Sequence, residues 1–282
     1  MAAETTQFVH VWLLPTLEAI AFTVACVAAA ALIERLRPVQ SGAGARLFNL
    51  AYAAVTAPLQ LGARIAGVGA ASIAARPMGG GLLHLPEHGA WVAVSALAYV
   101  AAMDFGEYLF HRAQHRSPML WRMHSLHHSD DALNGSTTVR HFWLEPLLKS
   151  CTIYLAVALV IHVTPTLAAA FALAGLYNFV PHLNLRLGLG RWSWIVNSPQ
   201  YHRLHHSALR EHYDRNFASL LPIFDLLLGT YRAPGQGEYP PTGLGPDVAA
   251  PTLAWALLPL AGLPVRRSAW ASGMTPAAEA TA

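Results

Sequence analysis

AWVAVSALAYVAAMDFGEYLFHRAQHRSPMLWRMHSLHH, residues 90–128, decides how the rest of the chain is read. Residues 90–110 are apolar over the roughly 20 positions that a membrane-spanning helix needs, and they turn polar only at Asp104 and Glu107. The stretch then delivers five histidines: His111, His115, His124, His127 and His128. With 15 histidines in 282 residues, a window of 18 is expected to hold about one. A second window, residues 202–206, adds His202, His205 and His206. As patterns these are HRAQH, HSLHH and HRLHH. Residues three and four apart on a helix share a face, with Cβ atoms about 5–6 Å apart. HxxxH therefore sets two imidazoles side by side, and HxxHH sets its histidines around one edge, in reach of two neighbouring metals. Neutral imidazole suits iron, zinc, copper and nickel. Eight imidazoles are twice what one tetrahedral zinc takes, so two metals are the economical explanation.

The composition around this stretch is that of a membrane protein. Charged residues make up 12% and hydrophobic ones 54%, and the mean hydropathy is +0.37; a soluble domain carries about 25% charge. These figures exclude a disordered chain, a collagen-like fibre and a disulfide-rich secreted module. The net charge of +3 comes from arginine, Lys149 being the one lysine. No basic stripe with interleaved aromatics appears, so nucleic acid is not an expected partner. Cys26 and Cys151 lie in separate apolar segments and form no CxxC, which leaves no zinc knuckle or disulfide framework.

Other apolar runs are residues 11–33, interrupted by Glu18, residues 47–75, interrupted by Arg64, and residues 146–162 and 165–180. Thr164-Pro165 breaks the last two into a hairpin. The first run is read as a span and not a signal peptide, and residues 251–265 as an interfacial segment. The expected fold is an all-α integral membrane protein with about four to five transmembrane helices and a cytoplasmic helical cap that holds a histidine-rich dimetal site. Arg35, Arg37 and Arg46 follow the first run, whereas Arg76 alone follows the second. The positive-inside rule then puts residues 111–145 and 182–250 on the cytoplasmic side. The expected division is a transmembrane region over 1–94, a catalytic region over 95–232, and a C-terminal segment over 233–282 that ends in a disordered tail at 274–282. In this topology His10, His84 and His88 lie on the opposite side. His162 and His212 read as packing histidines. Trp121, Trp143, Trp192 and Trp194 read as interfacial anchors.

The segments DFGEYLFHRAQH, LWRMHSLHHS and SPQYHRLHHS resemble the fatty acid hydroxylase and sterol desaturase superfamily. So do NGSTTVRHFWLE (134–145) and the closing stretch through Asp214-Arg215-Asn216-Phe217, Pro222-Ile223-Phe224-Asp225 and Leu228-Gly229-Thr230-Tyr231. The resemblance covers residues 95–232. It implies a non-haem di-iron oxygenase of a bacterial inner membrane, with two iron ions that use O2 and two electrons to hydroxylate or desaturate a lipid. It also implies His182 as a ninth ligand, Asn178 where some members carry a further histidine, and His141 beside the ligands. Breaking an aliphatic C–H bond needs a redox cofactor, which agrees with this. No fused haem or flavin domain is visible, so electrons must come from a separate ferredoxin, small cytochrome or reductase. Arg112, Arg116, Arg122 and Arg203 would suit an acidic donor or lipid phosphate.

Metal-bound histidines normally donate their other N–H to a carboxylate or carbonyl. Asp104, Glu107, Asp130, Asp131 and Asp225 are candidates. Asp104 lies two helical turns before His111 on the same face and is assigned, with Asn178, to the reactive site. Glu107 and Asp131 read as exposed helix-end acids. Two rivals stand beside the oxygenase. A membrane zinc hydrolase would show HExxH, but Arg112, Ser125 and Arg203 fill the glutamate slot. A non-catalytic metal carrier would spread its ligands across the midplane, whereas these cluster on one face.

Overall fold

The computed structural model describes residues 9–36 and 43–245, with Thr252, Ala256 and Leu257. The expected tail at 274–282 and most of the segment 251–265 lie outside the described residues. Among them the structure is helical, without a strand; two isolated bridges join Leu83 to Ile161 and Ser207 to Thr242. A single π-helical turn, Val9–Leu13, leads into α1 (Leu14–Arg35). Then come α2 (Ala43–Ala75) and α3 (Trp91–Arg116), which carries the opening stretch out to its first two histidines.

The breaks between helices are written in Ser/Thr-Pro pairs. Ser117, Thr164 and Ser198 are in extended conformation, and their hydroxyls accept the amides of Leu120, Leu167 and Tyr201. The prolines that follow start α4 (Pro118–His128), α7 (Pro165–Leu176) and α8 (Pro199–His205). A hydroxyl at the cap and a proline at the first position are the preferred helix start. Two of these caps stand directly before the two HxxHH boxes. The turn at Ser117 folds α4 back against α3, and α7 packs on α3 as well.

Two helical stretches, His10–Arg35 and Trp91–Arg116, are long and apolar enough to cross a membrane, and Pro165–Phe179 is a shorter apolar helix. The run expected to span as one helix over 146–162 is divided into α5 (Glu145–Lys149), a π turn at Ser150–Tyr154, and α6 (Leu155–Val160). Its cause is local. Ser150 donates its hydroxyl to the Pro146 carbonyl at 2.8 Å, and Thr152 to that of Leu148 at 2.6 Å. Such back-bonding competes with the helical ladder. Gly67 of α2 sits against this turn; a Cβ there would lie 2.2 Å from the Ser150 Cβ.

Polarity is inverted relative to a water-soluble domain. Leu17, Phe22, Leu32, Val68, Ile73 and Leu97 stand on the surface, while Glu34, Asn49, Asp104, Asp130, Arg140 and Asp225 are buried. An apolar girdle this broad fits lipid contact rather than water. Trp192 and Trp194 are exposed as anchors would be. Trp121, by contrast, is buried 4.9 Å from the His115 ring, and Trp143 donates its indole N–H to the Leu257 carbonyl at 3.1 Å.

Candidate dimetal site

Helix ends bring the histidines together. His111 and His115 lie on the last turns of α3, His124, His127 and His128 on the last turns of α4, and His202 and His205 at the end of α8 with His206 next. His182 follows a 3-10 turn at Tyr177–Phe179. They form two groups, His111, His115, His124, His128 and His205, and His127, His182, His202 and His206. Within each group one nitrogen from every ring lies within 4.8 Å of the others. Each group collects the i, i+4 pairs (111/115, 124/128, 202/206), and the odd members, His127 and His205, cross to the other group. Each HxxHH box thus serves both.

Ring partners fix which nitrogen points inward. His111 donates Nδ1–H to the Phe217 carbonyl at 2.7 Å, His205 to Arg215 at 2.8 Å and His182 to Asn178 at 2.7 Å. Their Nε2 lone pairs therefore face the groups. Nε2 atoms approach one another at 3.2 Å for His115 and His128, 3.2 Å for His127 and His182, 3.0 Å for His182 and His202, and 3.2 Å for His202 and His206. The Nε2 atoms of His111 and His205 and both nitrogens of His124 are buried without a partner. One proton satisfies one such N···N pair and leaves other lone pairs facing each other. A cation in each group would satisfy all of them. Burial holds the imidazoles of His124, His127, His128, His202, His205 and His206 well below their ordinary range, and neighbouring imidazoles add to this. His182 is pushed down to about 4 by burial. These rings are neutral at pH 7, the form that binds metal. All-nitrogen donor sets of this kind fit iron or zinc.

The carboxylates expected behind the ligands do a different job. Among the described hydrogen bonds, Asp104, Glu107, Asp130, Asp131 and Asp225 reach none of the nine rings; backbone carbonyls take that place, because the loops are clamped against the helices. Asp104 accepts the amides of Leu220 and Leu221 at 3.0 and 2.8 Å. Asp225 accepts the amides of Phe217 and Ala218, the Tyr201 hydroxyl and the Thr230 hydroxyl, all within 2.9 Å. Asp130 binds Thr137 and Asn49. Glu107 is not an exposed helix-end acid: it pairs with Lys149 at 2.8 Å and accepts from Tyr154. Asp131 is exposed. Asn178 contributes its carbonyl, which holds His182, and it lines the cavity described below.

Several residues have a role in the site that the sequence reading did not assign. Asp214 and Asn216 hold φ of +59° and +61°, a left-handed conformation uncommon outside glycine. The bends aim the Arg215 and Phe217 carbonyls at His205 and His111. Asn216 locks them, donating to the Tyr201 and Arg232 carbonyls and accepting the Arg232 amide. The Asp214 carboxylate faces His115 Nδ1 at 3.5 Å. Glu34, buried at the end of α1, accepts the amides of Gly135 and Asn184, both at 2.8 Å. A lone carboxylate ending an apolar run was the available clue. His141 stacks on His127 at 4.1 Å between centroids and bonds Glu145 through Nδ1 at 3.3 Å. His212 bonds Ser207 and Glu238 away from both groups, and His162 stacks on His84.

A cavity of about 770 Å³ runs from the apolar helices to both groups. Ile20 and Phe22 of α1, Leu61 of α2 and Phe171 of α7 form part of its wall, and His111, His124, His127, His182 and His202 reach its inner end. The size falls within the range of ligand pockets, about 300–1,000 Å³.

Residues 96–230 match the fatty acid hydroxylase family model. The chain is 35% identical over 156 residues to alkylglycerol monooxygenase of Homo sapiens, covering 55% of this chain and 34% of that protein. It is 30% identical over 151 residues to ornithine lipid hydroxylase OlsE of Rhizobium tropici, covering 54% and 46%. A very-long-chain aldehyde decarbonylase of Oryza sativa subsp. indica is 31% identical over 179 residues, covering 59% and 28%. The matched part thus spans less than half of each relative. No solved structure matches the chain. The three histidine boxes all lie inside the matched residues, so it is over the stretch that carries them, residues 96–230, that the chain is similar to the fatty acid hydroxylase family.

Proposed function

We propose that this chain is a membrane-bound non-haem di-iron oxidoreductase that uses O2 to hydroxylate or desaturate a lipid. The observation that carries this is the juncture of two buried all-imidazole groups with a cavity walled by apolar helices. The names of the relatives, a monooxygenase and a lipid hydroxylase, support it. Bound iron would supply the reductive use of O2 that attack on an unactivated C–H bond requires. The chain's own residues do the rest. The nine histidines hold the metals, and the Phe217, Arg215 and Asn178 carbonyls keep three of the rings in the inward-facing tautomer. Asp104 positions the loop at 220–221. The apolar wall keeps water from the reacting carbon and places that carbon beside the groups.

The helices α2 and α5 to α7 complete a count of four or five spans, with the metals on the cytoplasmic face of a bacterial inner membrane. Electrons come from a separate ferredoxin, small cytochrome or reductase. Of the arginines expected to meet it, Arg116 and Arg122 are exposed. Arg203 is buried, stacked 3.7 Å over Tyr239 and bonded to the Pro240 carbonyl, so it is withdrawn from that role.

The test is iron and zinc content per chain of detergent-purified protein, before and after anaerobic iron loading. About two irons, lost in His127→Ala, is the expected result. One zinc and no iron would favour a zinc hydrolase instead.

A further inference from the structure

The cavity has one charged wall that the metal groups do not use. Lys149 Nζ lies 2.8 Å from Glu107 and 3.0 Å from Glu145. Tyr154 donates its hydroxyl to Glu107 at 2.8 Å, and Glu145 continues to His141 at 3.3 Å. All five side chains line the cavity. A carboxylate, an imidazole and His124 here lie close enough to suggest a third ion, since their ligand atoms are within 4.8 Å. Lys149 already supplies the positive charge at Glu145, and His124 belongs to the five-membered group, so an ion is not needed.

Charges placed among membrane helices are expensive and mark function more often than packing. The charged groups around the cavity, histidines aside, are Arg64, Asp104, Glu107, Glu145 and Lys149. At the Lys149 wall itself two carboxylates, Glu107 and Glu145, face one ammonium, which leaves one net negative charge there. Asp104 is occupied by the amides of Leu220 and Leu221. Glu107 and Glu145 keep spare lone pairs, because each carboxylate accepts about four hydrogen bonds. A wall of this kind attracts hydrogen-bond donors and repels anions.

We propose that Glu107, Glu145 and Lys149 form a headgroup subsite that takes the hydroxyls or protonated amine of a polar lipid. This rests on the lipid-oxidising reading and narrows its substrate. A hydrocarbon tail or a sterol ring offers this wall nothing to replace the lost hydration of its charges, and a free fatty acid or phosphate brings a second negative charge to it. Position then follows from distance. The Glu145 carboxylate lies within 4.8 Å of a nitrogen of His124. A head bound there holds the first carbons of the lipid, not the middle of its chain, against the five-histidine group. Written as hydroxylation, one oxygen atom of O2 enters a C–H bond near the head. The other leaves as water, with two electrons from the separate redox protein and two protons.

The experiment is equilibrium binding to the full chain in detergent, without added metal, of four probes of one chain length: a 1-O-alkylglycerol, an alkylamine, a fatty acid and an alkane. The glycerol and amine heads are expected to bind at least tenfold more tightly than the fatty acid and the alkane. Glu107→Gln and Glu145→Gln, tested singly so that one folding failure does not end the test, are expected to shrink that preference to under threefold. Equal binding of the fatty acid by the wild type, or an unchanged preference in the folded glutamine variants, overturns the subsite. Product analysis of the iron-loaded protein with the preferred probe separates the two levels. Oxidation within three bonds of the head supports the proposal. Oxidation at mid-chain overturns it and leaves lipid oxidation standing. A retained head preference with no oxidised product supports the subsite and counts against the oxygenase.

Discussion

Asn216 shows how single residues hold this site. Its backbone sits at φ +61°, and its side chain makes three hydrogen bonds, one to the Tyr201 carbonyl of α8 and two to the backbone of Arg232. Asn216→Ala keeps the strained backbone and removes the bonds that hold it. Left-handed strain is of order 1–3 kcal/mol, and a buried partner left unsatisfied costs about the same. The variant is expected to lose about 2–3 kcal/mol of stability, visible as a lower melting temperature in detergent. It should also lose metal, because the Phe217 carbonyl no longer orients His111. An unchanged metal content would show that the loop does not set the ring. This residue also marks the limit of what the sequence discloses. The grouping of histidines was legible, since i, i+4 spacing is a property of any helix. The positive φ at Asp214 and Asn216 was not, because asparagine and aspartate enter that region more readily than other side chains yet mostly stay outside it, so the residue type alone does not announce it. Glu34 was missed for a related reason: the two amides it holds at the site lie 101 and 150 residues away.

At the scale of elements, α2 and the π turn at Ser150–Tyr154 are fitted to each other. Gly67→Ala would bring two Cβ atoms to 2.2 Å, so one element must move. Overpacking of this kind costs typically 1–3 kcal/mol. Gly67→Ala is expected to broaden the size-exclusion profile and lower the melting temperature. Adding Ser150→Gly, which removes the opposing Cβ, is expected to restore both. Failure of the double variant to recover would mean that the small residue at 67 serves something other than this contact. The apolar runs were readable as helices, and the Thr164-Pro165 break was readable as the start of α7. The division of 146–162 was not, because hydropathy does not report hydroxyls that bond to their own helix.

For the whole molecule, the buried imidazoles set an acid limit. His182 has its value lowered to about 4 from an ordinary 6.5. Between those values the unfolded chain binds a proton there and the folded chain does not, so stability falls as pH drops through the window. One such ring contributes roughly 3 kcal/mol over that range, and the other lowered rings act in the same direction. Metal-free protein is therefore expected to melt at progressively lower temperature from pH 6.5 to pH 4 and to change little from pH 7 to 8. Metal should raise the melting temperature most at neutral pH, since it binds the folded state and needs neutral rings. A melting temperature flat between pH 6.5 and 4 would contradict the burial of these rings.

The sharing of each HxxHH box between the two histidine groups has a consequence for how the groups would take up metal. A cation held by His124, His128 and His205 also immobilises α4 and α8, and with them His127, His202 and His206. The ordering needed by the second group is then largely complete before its own ion arrives, which is positive cooperativity without a change of shape. A titration of metal-free protein is expected to give a Hill coefficient above one, with half-loaded chains scarce at every ratio. Chains in a cell short of metal would then divide into filled and empty populations, so supply would set how many molecules work, not how well each one does.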